Sequence, residues 1–178
     1  MKFVSRAGDK LEFALNKFDI DVRGNVCADL GCSTGGFTDC LLQHGAACVY
    51  AIDTGYGVLD WKLRQNSRVV VMERQNALHV QLPQQMDFIS IDVGWTKQGL
   101  ILPHALSLLK PTGNLVTLLK PHYEMGRAHL TGLASQEVAQ QVVARLKNQG
   151  IKIKDMVLSP ILGEKAKNRE YLLWIVSV

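Results

Sequence analysis

Short apolar runs alternate with amphipathic segments along the whole chain. The runs predict buried strands, which begin at Val26 and then cover 49–53, 69–72, 86–92, 115–119, 152–159 and 170–177. Helices are predicted over 5–18, from Cys40 to His44, and over 59–65, 98–110 and 135–149. Strands that alternate with helices predict an α/β fold with a doubly wound sheet of seven strands, mostly parallel. The last two strands are joined by a short loop, so the last strand is predicted to be antiparallel.

Capping and stop signals set the predicted ends of the helices. Ser5 is predicted to cap the first helix, whose apolar face includes Leu11 and Leu15 and has Lys10 at its edge. Pro111-Thr112-Gly113 is predicted to end the helix over 98–110, and 123–134 is predicted to be a loop. Ser135 is predicted to cap the last helix.

Length and composition predict a single globular domain over 1–178. Hydrophobic residues make up 47% of the chain and charged residues 20%, an ordinary globular balance. The apolar runs fall far short of the roughly 20 residues of a membrane span, and no secretory signal is visible, so a cytoplasmic protein with no membrane partner is expected. The four cysteines form no C-x-x-C pair, so we expect reduced thiols and no metal site. A net charge of +4 permits a nucleic-acid partner.

A glycine-rich turn joins the first predicted strand to a helix. The segment from Asp29 to Gly36 reads D-x-G-x-x-x-G-G, which matches neither the G-x-G-x-x-G dinucleotide fingerprint nor a lysine-bearing P-loop. Gly31 lets the chain leave the strand tightly, and Gly35 and Gly36 are expected to let a ligand approach the main chain. Asp53, at the end of the second strand, suits hydrogen bonding to ribose hydroxyls. The pattern favours S-adenosylmethionine over a nicotinamide dinucleotide.

Two charged residues follow the fourth and fifth strands. Asp92 and Lys120 should both point into the crevice beyond the carboxyl ends of a parallel sheet. An amine beside a carboxylate can be tuned for proton transfer, although each residue alone could be a solvated strand end.

Five motifs in one order carry a family resemblance over essentially the whole chain. They are Ser5-Arg6-Ala7-Gly8-Asp9-Lys10-Leu11, the Asp29–Asp39 loop, Tyr56-Gly57 with Trp61-Lys62-Leu63-Arg64, Ile91-Asp92-Val93 and Lys120-Pro121. The chain resembles the hemolysin-A-like (TlyA) branch of the FtsJ-type RNA 2′-O-ribose methyltransferases. The resemblance implies a Rossmann-like S-adenosylmethionine-dependent methyltransferase fold, with ribosomal RNA or a ribosomal subunit as partner.

The resemblance also implies a catalytic Lys-Asp-Lys-Glu tetrad. By position in the motifs its members are Lys10, Asp92, Lys120 and Glu170. Lys120, with a pKa lowered by burial and by a second ammonium, would accept the ribose hydroxyl proton or stabilise the alkoxide. Asp92 would orient Lys120, while Lys10 and Glu170 would shape the field and hold the ribose.

The cofactor-binding residues are likewise implied by the resemblance. The methionine part would lie along the glycine-rich loop, at Asp29, Gly31, Ser33, Thr34, Gly35, Gly36 and Phe37. Asp53 would hold the ribose, and Asn76 and Ala77 would lie beside the adenine. Asp92 would also face the sulfonium. Asn76 departs from the acid commonly found there in the wider group.

Two departures from the family pattern concern RNA binding. The resemblance begins at Val4, so the small N-terminal RNA-binding domain of typical members is expected to be missing, and Trp95 replaces a more usual phenylalanine. Arg6, Lys62, Arg64, Arg127, Lys165, Lys167 and Arg169 are candidate RNA contacts, with Tyr56 and Trp95 available for stacking. Trp61 and Trp174 are predicted to lie in the core.

Three other functions are compatible with parts of the sequence. A small-molecule O-methyltransferase would use the same cofactor without RNA and with little dependence on salt. A non-catalytic nucleic-acid-binding or membrane-active, hemolysin-like protein would keep the fold, but no lysine-rich amphipathic helix stands out. A nicotinamide oxidoreductase fits the glycine spacing poorly.

Overall fold

A computed structural model describes residues 1–163 and 167–177 of the chain. Its strands are β1 (Val26–Leu30), β2 (Cys48–Asp53), β3 (Val69–Glu73), β4 (Met86–Ile91), β5 (Leu109–Leu119), β6 (Lys152–Leu158) and β7 (Tyr171–Val176). Its helices are α1 (Ala7–Phe18), α2 (Gly36–Gln43), α3 (Trp61–Arg64), α4 (Gln98–Ser107), α5 (Pro121–Glu124) and α6 (Gly132–Asn148). Lys165, a predicted RNA contact, lies outside the described residues.

The strands form one sheet in the order β3-β2-β1-β4-β5-β7-β6. Strands β1 to β5 pair in parallel, and β7 pairs antiparallel with both β5 and β6. The prediction of a seven-stranded, mostly parallel sheet with an antiparallel last strand is confirmed. Because chain order reverses on the two sides of β1, the carboxyl ends of β1, β2, β4 and β5 face a common crevice.

Two apolar layers cover the two faces of the sheet. On one face, Leu11 and Leu15 of α1 and Leu41 of α2 pack against strand residues such as Phe88. On the other face, Ile101 and Leu102 of α4 and Val142 of α6 pack against strand residues such as Ile89. Strands buried on both faces read as continuous apolar runs, which is why their positions were predictable.

Both predicted serine caps are wrong. Arg6 stands at the N-cap of α1 without a side-chain cap, and Ser5 instead accepts a hydrogen bond through its carbonyl from the Gly8 N–H. Helix α6 begins earlier than predicted, where the Thr131 hydroxyl accepts a hydrogen bond from the Ala134 N–H at 3.3 Å. Ser135 is therefore buried inside the first turn.

Two segment boundaries also differ from prediction. Helix α4 ends at Ser107, and Lys110 to Gly113 belong to β5, which pairs with β4 from Leu109 onward. Sheet pairing on β4 thus overrides the local turn signal of Pro111 and Gly113. Part of the predicted loop over 123–134 is helical, in the last residues of α5 and the first turn of α6.

The two tryptophans predicted to lie in the core differ in how deeply they are buried. Trp174 is partly buried, stacks on Phe18 with ring centroids 5.7 Å apart, and donates a hydrogen bond to Asn114. Trp61 is 72% exposed, so its prediction is wrong. Helix α3 has a single turn, and Leu63 is its buried residue.

Candidate active site

A cavity of about 1050 Å³ opens at the carboxyl ends of the parallel strands. This volume is large for a site that holds a single small molecule. Its wall contains thirteen of the sequence-predicted residues, namely Arg6, Lys10, Gly31, Ser33, Thr34, Phe37, Asp53, Asn76, Ala77, Asp92, Trp95, Lys120 and Glu170. The crevice predicted from strand ends is therefore a real concave surface.

Gly31 packs directly against the backbone of the segment that follows β4. Its φ is +85°, and a Cβ added there would lie 2.6 Å from the carbonyl oxygen of Asp92. The Gly31 N–H donates to the Ile52 carbonyl, and the Asp92 N–H donates to the Leu30 carbonyl. A glycine is needed here because both the backbone conformation and the contact exclude a side chain.

We expect Gly31→Ala to lower the free energy of unfolding by more than Gly57→Ala does. Gly57 also has a positive φ, +71°, but an added Cβ would meet nothing within 4 Å. Gly57→Ala should therefore cost only the left-handed backbone penalty, about 1–2 kcal/mol, and Gly31→Ala should add a clash with backbone. Urea unfolding of both variants measures the difference. Equal losses would contradict the close approach.

At Gly35 and Gly36, the space that a side chain would occupy is filled by other residues of the protein. A Cβ at Gly35 would lie 2.3 Å from Leu63 Cδ1, and one at Gly36 would lie 2.3 Å from Ser5 Oγ. Leu63 of α3 and the residues at the start of α1 fill the side-chain space at these glycines, and their predicted contacts with a cofactor stay predictions. Neither glycine lies on the cavity wall.

Asp29 is fully buried behind the glycine loop rather than on the cavity wall. Its carboxylate accepts hydrogen bonds from the Thr38 hydroxyl at 2.7 Å and the Ser90 hydroxyl at 3.1 Å. Burial raises the pKa of Asp29 to about 7, against the lowering effect of the two hydroxyls. These two bonds join β1 to α2 and β4, and the predicted contact of Asp29 with the cofactor stays a prediction.

Asp29→Asn should remove a pH dependence of stability. Below about pH 4 the Asp29 carboxyl is protonated in both the folded and the unfolded protein, so it costs no stability. As pH rises through about 7 the buried carboxyl ionises, and the free energy of unfolding falls by the full amount. The parent should therefore lose stability relative to Asp29→Asn over this range, by up to about 4 kcal/mol. Chemical unfolding at a series of pH values measures the difference. Parallel pH curves for the two proteins would contradict this expectation.

Asp53, Asn76 and Ala77 form one side of the cavity. Asp53 accepts hydrogen bonds from the backbone N–H groups of Ser33 and Gly55, both at 2.8 Å, so the acid fixes two loops. Carboxylate oxygens have more than one acceptor position, so Asp53 can still bind hydroxyl groups. The Asn76 side chain accepts from the Leu78 N–H at 2.9 Å and shapes the turn at this wall.

Lys120 and Asp92 form an ion pair on the opposite side of the cavity. Lys120 Nζ lies 2.5 Å from Asp92 Oδ1, and it also donates to the Val93 carbonyl at 3.4 Å. Burial lowers the pKa of Lys120, but the charge and hydrogen bond of Asp92 raise it more, so the net shift is upward. The prediction of a lowered pKa is wrong in direction. Lys120 is an ammonium cation at neutral pH.

Lys10 and Glu170 form a second, more deeply buried pair. Lys10 Nζ donates to Glu170 Oε2 at 2.6 Å, and the side chains are only 10% and 5% exposed. Asn168 holds the loop that carries Glu170, since its side chain donates to the Ala128 carbonyl and accepts from the Leu130 N–H. The structure therefore brings all four predicted tetrad residues to one cavity.

The segment after Lys120 contributes wall residues that sequence reasoning missed. Tyr123 stacks against the exposed Trp95 with ring centroids 4.3 Å apart, and Lys120 Nζ lies 5.6 Å from the Tyr123 ring. His122 is buried, and burial and the charge of Lys120 lower its pKa. Their position directly after a strand end that carries a predicted site residue was the available signal.

The predicted RNA contacts divide into three groups. Arg6 and Trp95 line the cavity. The exposed residues that do not line it are Tyr56, Lys62, Arg127, Lys167 and Arg169. Arg64 is partly buried, pairs with Glu73 and donates to the Leu59 carbonyl, and its predicted contact with RNA stays a prediction.

Comparison with known proteins identifies the family. The family model for the FtsJ-like methyltransferases matches residues 3–176 of this sequence. The chain belongs to this family. It is 41% identical to YqxC of Bacillus subtilis, over 97% of this chain and 65% of YqxC. It is 36% identical to the 16S/23S rRNA (cytidine-2′-O)-methyltransferase TlyA of Mycobacterium tuberculosis, over 97% of this chain and 68% of TlyA.

A solved structure confirms the likeness over the entire chain. A hemolysin-like protein from Lactococcus lactis is 37% identical and superimposes with a TM-score of 0.91, over 100% of this chain and 90% of that one. The predicted resemblance to the FtsJ-type and hemolysin-A-like proteins is confirmed. The chain spans about two thirds of the length of YqxC and TlyA. No helix within residues 1–163 and 167–177 is both long and apolar enough to cross a membrane.

Proposed function

We propose that this protein methylates the 2′-hydroxyl of a ribose in ribosomal RNA, with S-adenosylmethionine as the methyl donor. The observation that carries the proposal is the pair of lysine–carboxylate contacts, Lys120–Asp92 and Lys10–Glu170, on one cavity that also holds Gly31 and Asp53. Membership of the FtsJ-like methyltransferases and the similarity to TlyA, an rRNA (cytidine-2′-O)-methyltransferase, support the reaction class.

The residues present fit an adenosine cofactor on the side of the glycine loop. Asp53 offers carboxylate oxygens to ribose hydroxyls, and Ala77 presents a small apolar surface beside Asn76 for the adenine. Gly31, Ser33, Thr34 and Phe37 form the adjoining wall for the methionine part. When bound, this cofactor would supply a methyl group on a cationic sulfur. Transfer to a hydroxyl oxygen would leave a neutral thioether as the leaving group and release the hydroxyl proton to water.

Lys120 acts as a cation in the proposed mechanism. Because Asp92 keeps its amine protonated, Lys120 stabilises the negative charge that develops on the ribose oxygen rather than removing the proton as a free amine. Asp92 fixes the position of the ammonium group. Lys10 and Glu170, which are buried and paired, hold the ribose at the facing wall.

The acceptor nucleotide has an aromatic surface beside Lys120. Trp95 is 66% exposed, stacks on Tyr123 and lines the cavity, so its outer face can stack on a nucleobase. Arg6 on the wall and the exposed Arg127 and Arg169 supply positive charge for RNA phosphates.

Transfer of a labelled methyl group tests the proposal. Purified protein is incubated with labelled S-adenosylmethionine and either ribosomal subunits, naked ribosomal RNA, or a panel of small hydroxyl compounds. We expect label in RNA, recovered after digestion as 2′-O-methylribose, with a rate that falls as salt rises. Label only on a small molecule, without salt dependence, would favour a small-molecule O-methyltransferase. Cofactor binding with no acceptor methylated would contradict the proposal.

A further inference from the structure

Glu124 is a buried carboxylate for which the proposed chemistry has no use. Its side chain is 4% exposed, and it is absent from the cavity wall. Glu124 is the last residue of the one-turn helix α5, which begins directly after Lys120. A buried charge is costly unless its hydrogen bonds are made, so its partners indicate its role.

Both carboxylate oxygens of Glu124 have partners on other elements. Oε1 accepts from the backbone N–H of Gln98 at 2.6 Å, at the start of α4. This N–H is among those that a helix leaves unpaired, at its positive end, where a carboxylate is favoured. Oε2 accepts from the guanidinium of Arg145 at 2.8 Å, on α6.

Gln98 extends the same network to the strand that leads to Lys120. Its side-chain oxygen accepts from the Thr117 hydroxyl at 2.8 Å, and its amide donates to the Leu118 carbonyl at 3.3 Å. Gln98 and Thr117 are both buried, so these bonds form in a medium with little competing water. The start of α4, the end of β5 and α5 are thus joined behind the cavity.

The network lies behind the two segments that form the acceptor side of the cavity. One segment runs from Asp92 to Trp95 and leads into Gln98, and the other runs from Lys120 to Tyr123 and leads into Glu124. On the cavity side the same two segments are joined by the Lys120–Asp92 ion pair and by the Trp95–Tyr123 stack. The Glu124–Gln98 bond is a further link between them, formed by two residues that do not line the cavity.

We propose that Glu124 is a positioning residue. Through its hydrogen bond to the Gln98 backbone, it fixes the position of Lys120 relative to the Trp95–Tyr123 pair. A carboxylate is required because one side chain must accept from an N–H and from a guanidinium at once. Glutamine has a single acceptor oxygen and would turn its amide toward Arg145 or toward Gln98. The inference deepens the proposed function and rests on it for its kinetic test only.

Three variants separate the two links of Glu124. Glu124→Ala removes both links, Glu124→Gln keeps one acceptor oxygen, and Arg145→Met removes only the partner on α6. We expect kcat for RNA methylation to fall about ten- to a hundredfold in Glu124→Ala, less in Glu124→Gln, and little in Arg145→Met. The KM for S-adenosylmethionine should stay within about twofold, since the cofactor wall is formed by other segments.

A spectroscopic test does not depend on catalysis. In the background Trp61→Phe, Trp174→Phe, the remaining tryptophan is Trp95, whose emission and quenching by acrylamide report its stack on Tyr123. We expect Glu124→Ala to shift the emission to the red and to increase quenching relative to the same background, with Arg145→Met unchanged. All measurements are made well below the unfolding temperature of each variant.

The outcomes distinguish the inference from the proposed function. Folded Glu124→Ala with background values of both kcat and Trp95 quenching would overturn the positioning role. If Glu124→Ala does not fold, kcat and Trp95 quenching are compared in Glu124→Gln instead, and background values of both would overturn the positioning role. If even the unmodified protein methylates no RNA, the proposed function fails, and Trp95 quenching alone then supports or overturns the role of Glu124.

Discussion

Replacement of Lys120 by alanine is expected to lower the rate of RNA methylation by about a hundred- to a thousandfold. The ammonium group lies 2.5 Å from Asp92 and lines the cavity, where it can stabilise the negative charge on the attacking oxygen. Because its pKa is raised, this charge is present throughout the neutral range. Single-turnover methyl transfer to the preferred RNA measures the loss directly, apart from product release.

The control for this variant is Lys17→Ala, which removes one exposed positive charge from the end of α1. Its rate should match that of the parent, and calorimetry should show that Lys120→Ala still binds S-adenosylmethionine. Unchanged methyl transfer by Lys120→Ala would remove Lys120 from the mechanism. A lost rate that follows only from lost cofactor binding would place Lys120 in the cofactor site instead.

Lys10→Met is expected to lower the free energy of unfolding by about 3–5 kcal/mol. The methionine leaves Glu170, which is 5% exposed at its side chain, as a buried carboxylate without its cation. The double variant Lys10→Met, Glu170→Gln should recover most of the loss because it removes the unpaired charge as well. The single and the double variant should both be poor methyltransferases. The double variant should therefore recover stability without recovering activity. Urea unfolding and methyl transfer measure the two effects.

Lys2→Met is the matched control for the buried pair. Lys2 pairs with Glu12 of α1, but the Lys2 side chain is 55% exposed, and an exposed ion pair contributes little to stability. A loss in Lys10→Met no larger than that in Lys2→Met would show that the Lys10–Glu170 pair is not held away from water. A double variant as unstable as the sum of its single variants would show that the two residues are not coupled.

Most of the fold could be predicted from local patterns. Strands buried on both faces must be continuous apolar runs, so Val49 to Asp53 and Met86 to Ile91 are visible without a structure. Helix and strand ends were less predictable, because Pro111 and Gly113 carry a turn signal that pairing with β4 overrides. The exposure of Trp61 was missed because α3 is only one turn long, which gives too few positions for a periodic pattern.

The sequence by itself determined the sheet, the glycine-rich turn and the placement of Asp53, Asp92 and Lys120 at strand ends, because each follows from residues that are neighbours in the chain. The tertiary structure decided the rest. Lys10 and Glu170 meet across 160 positions only because α1 and the last loop pack on the same cavity. The direction of the Lys120 pKa shift was likewise inaccessible, since it is the balance of burial against the charge of Asp92, and both depend on distances between segments.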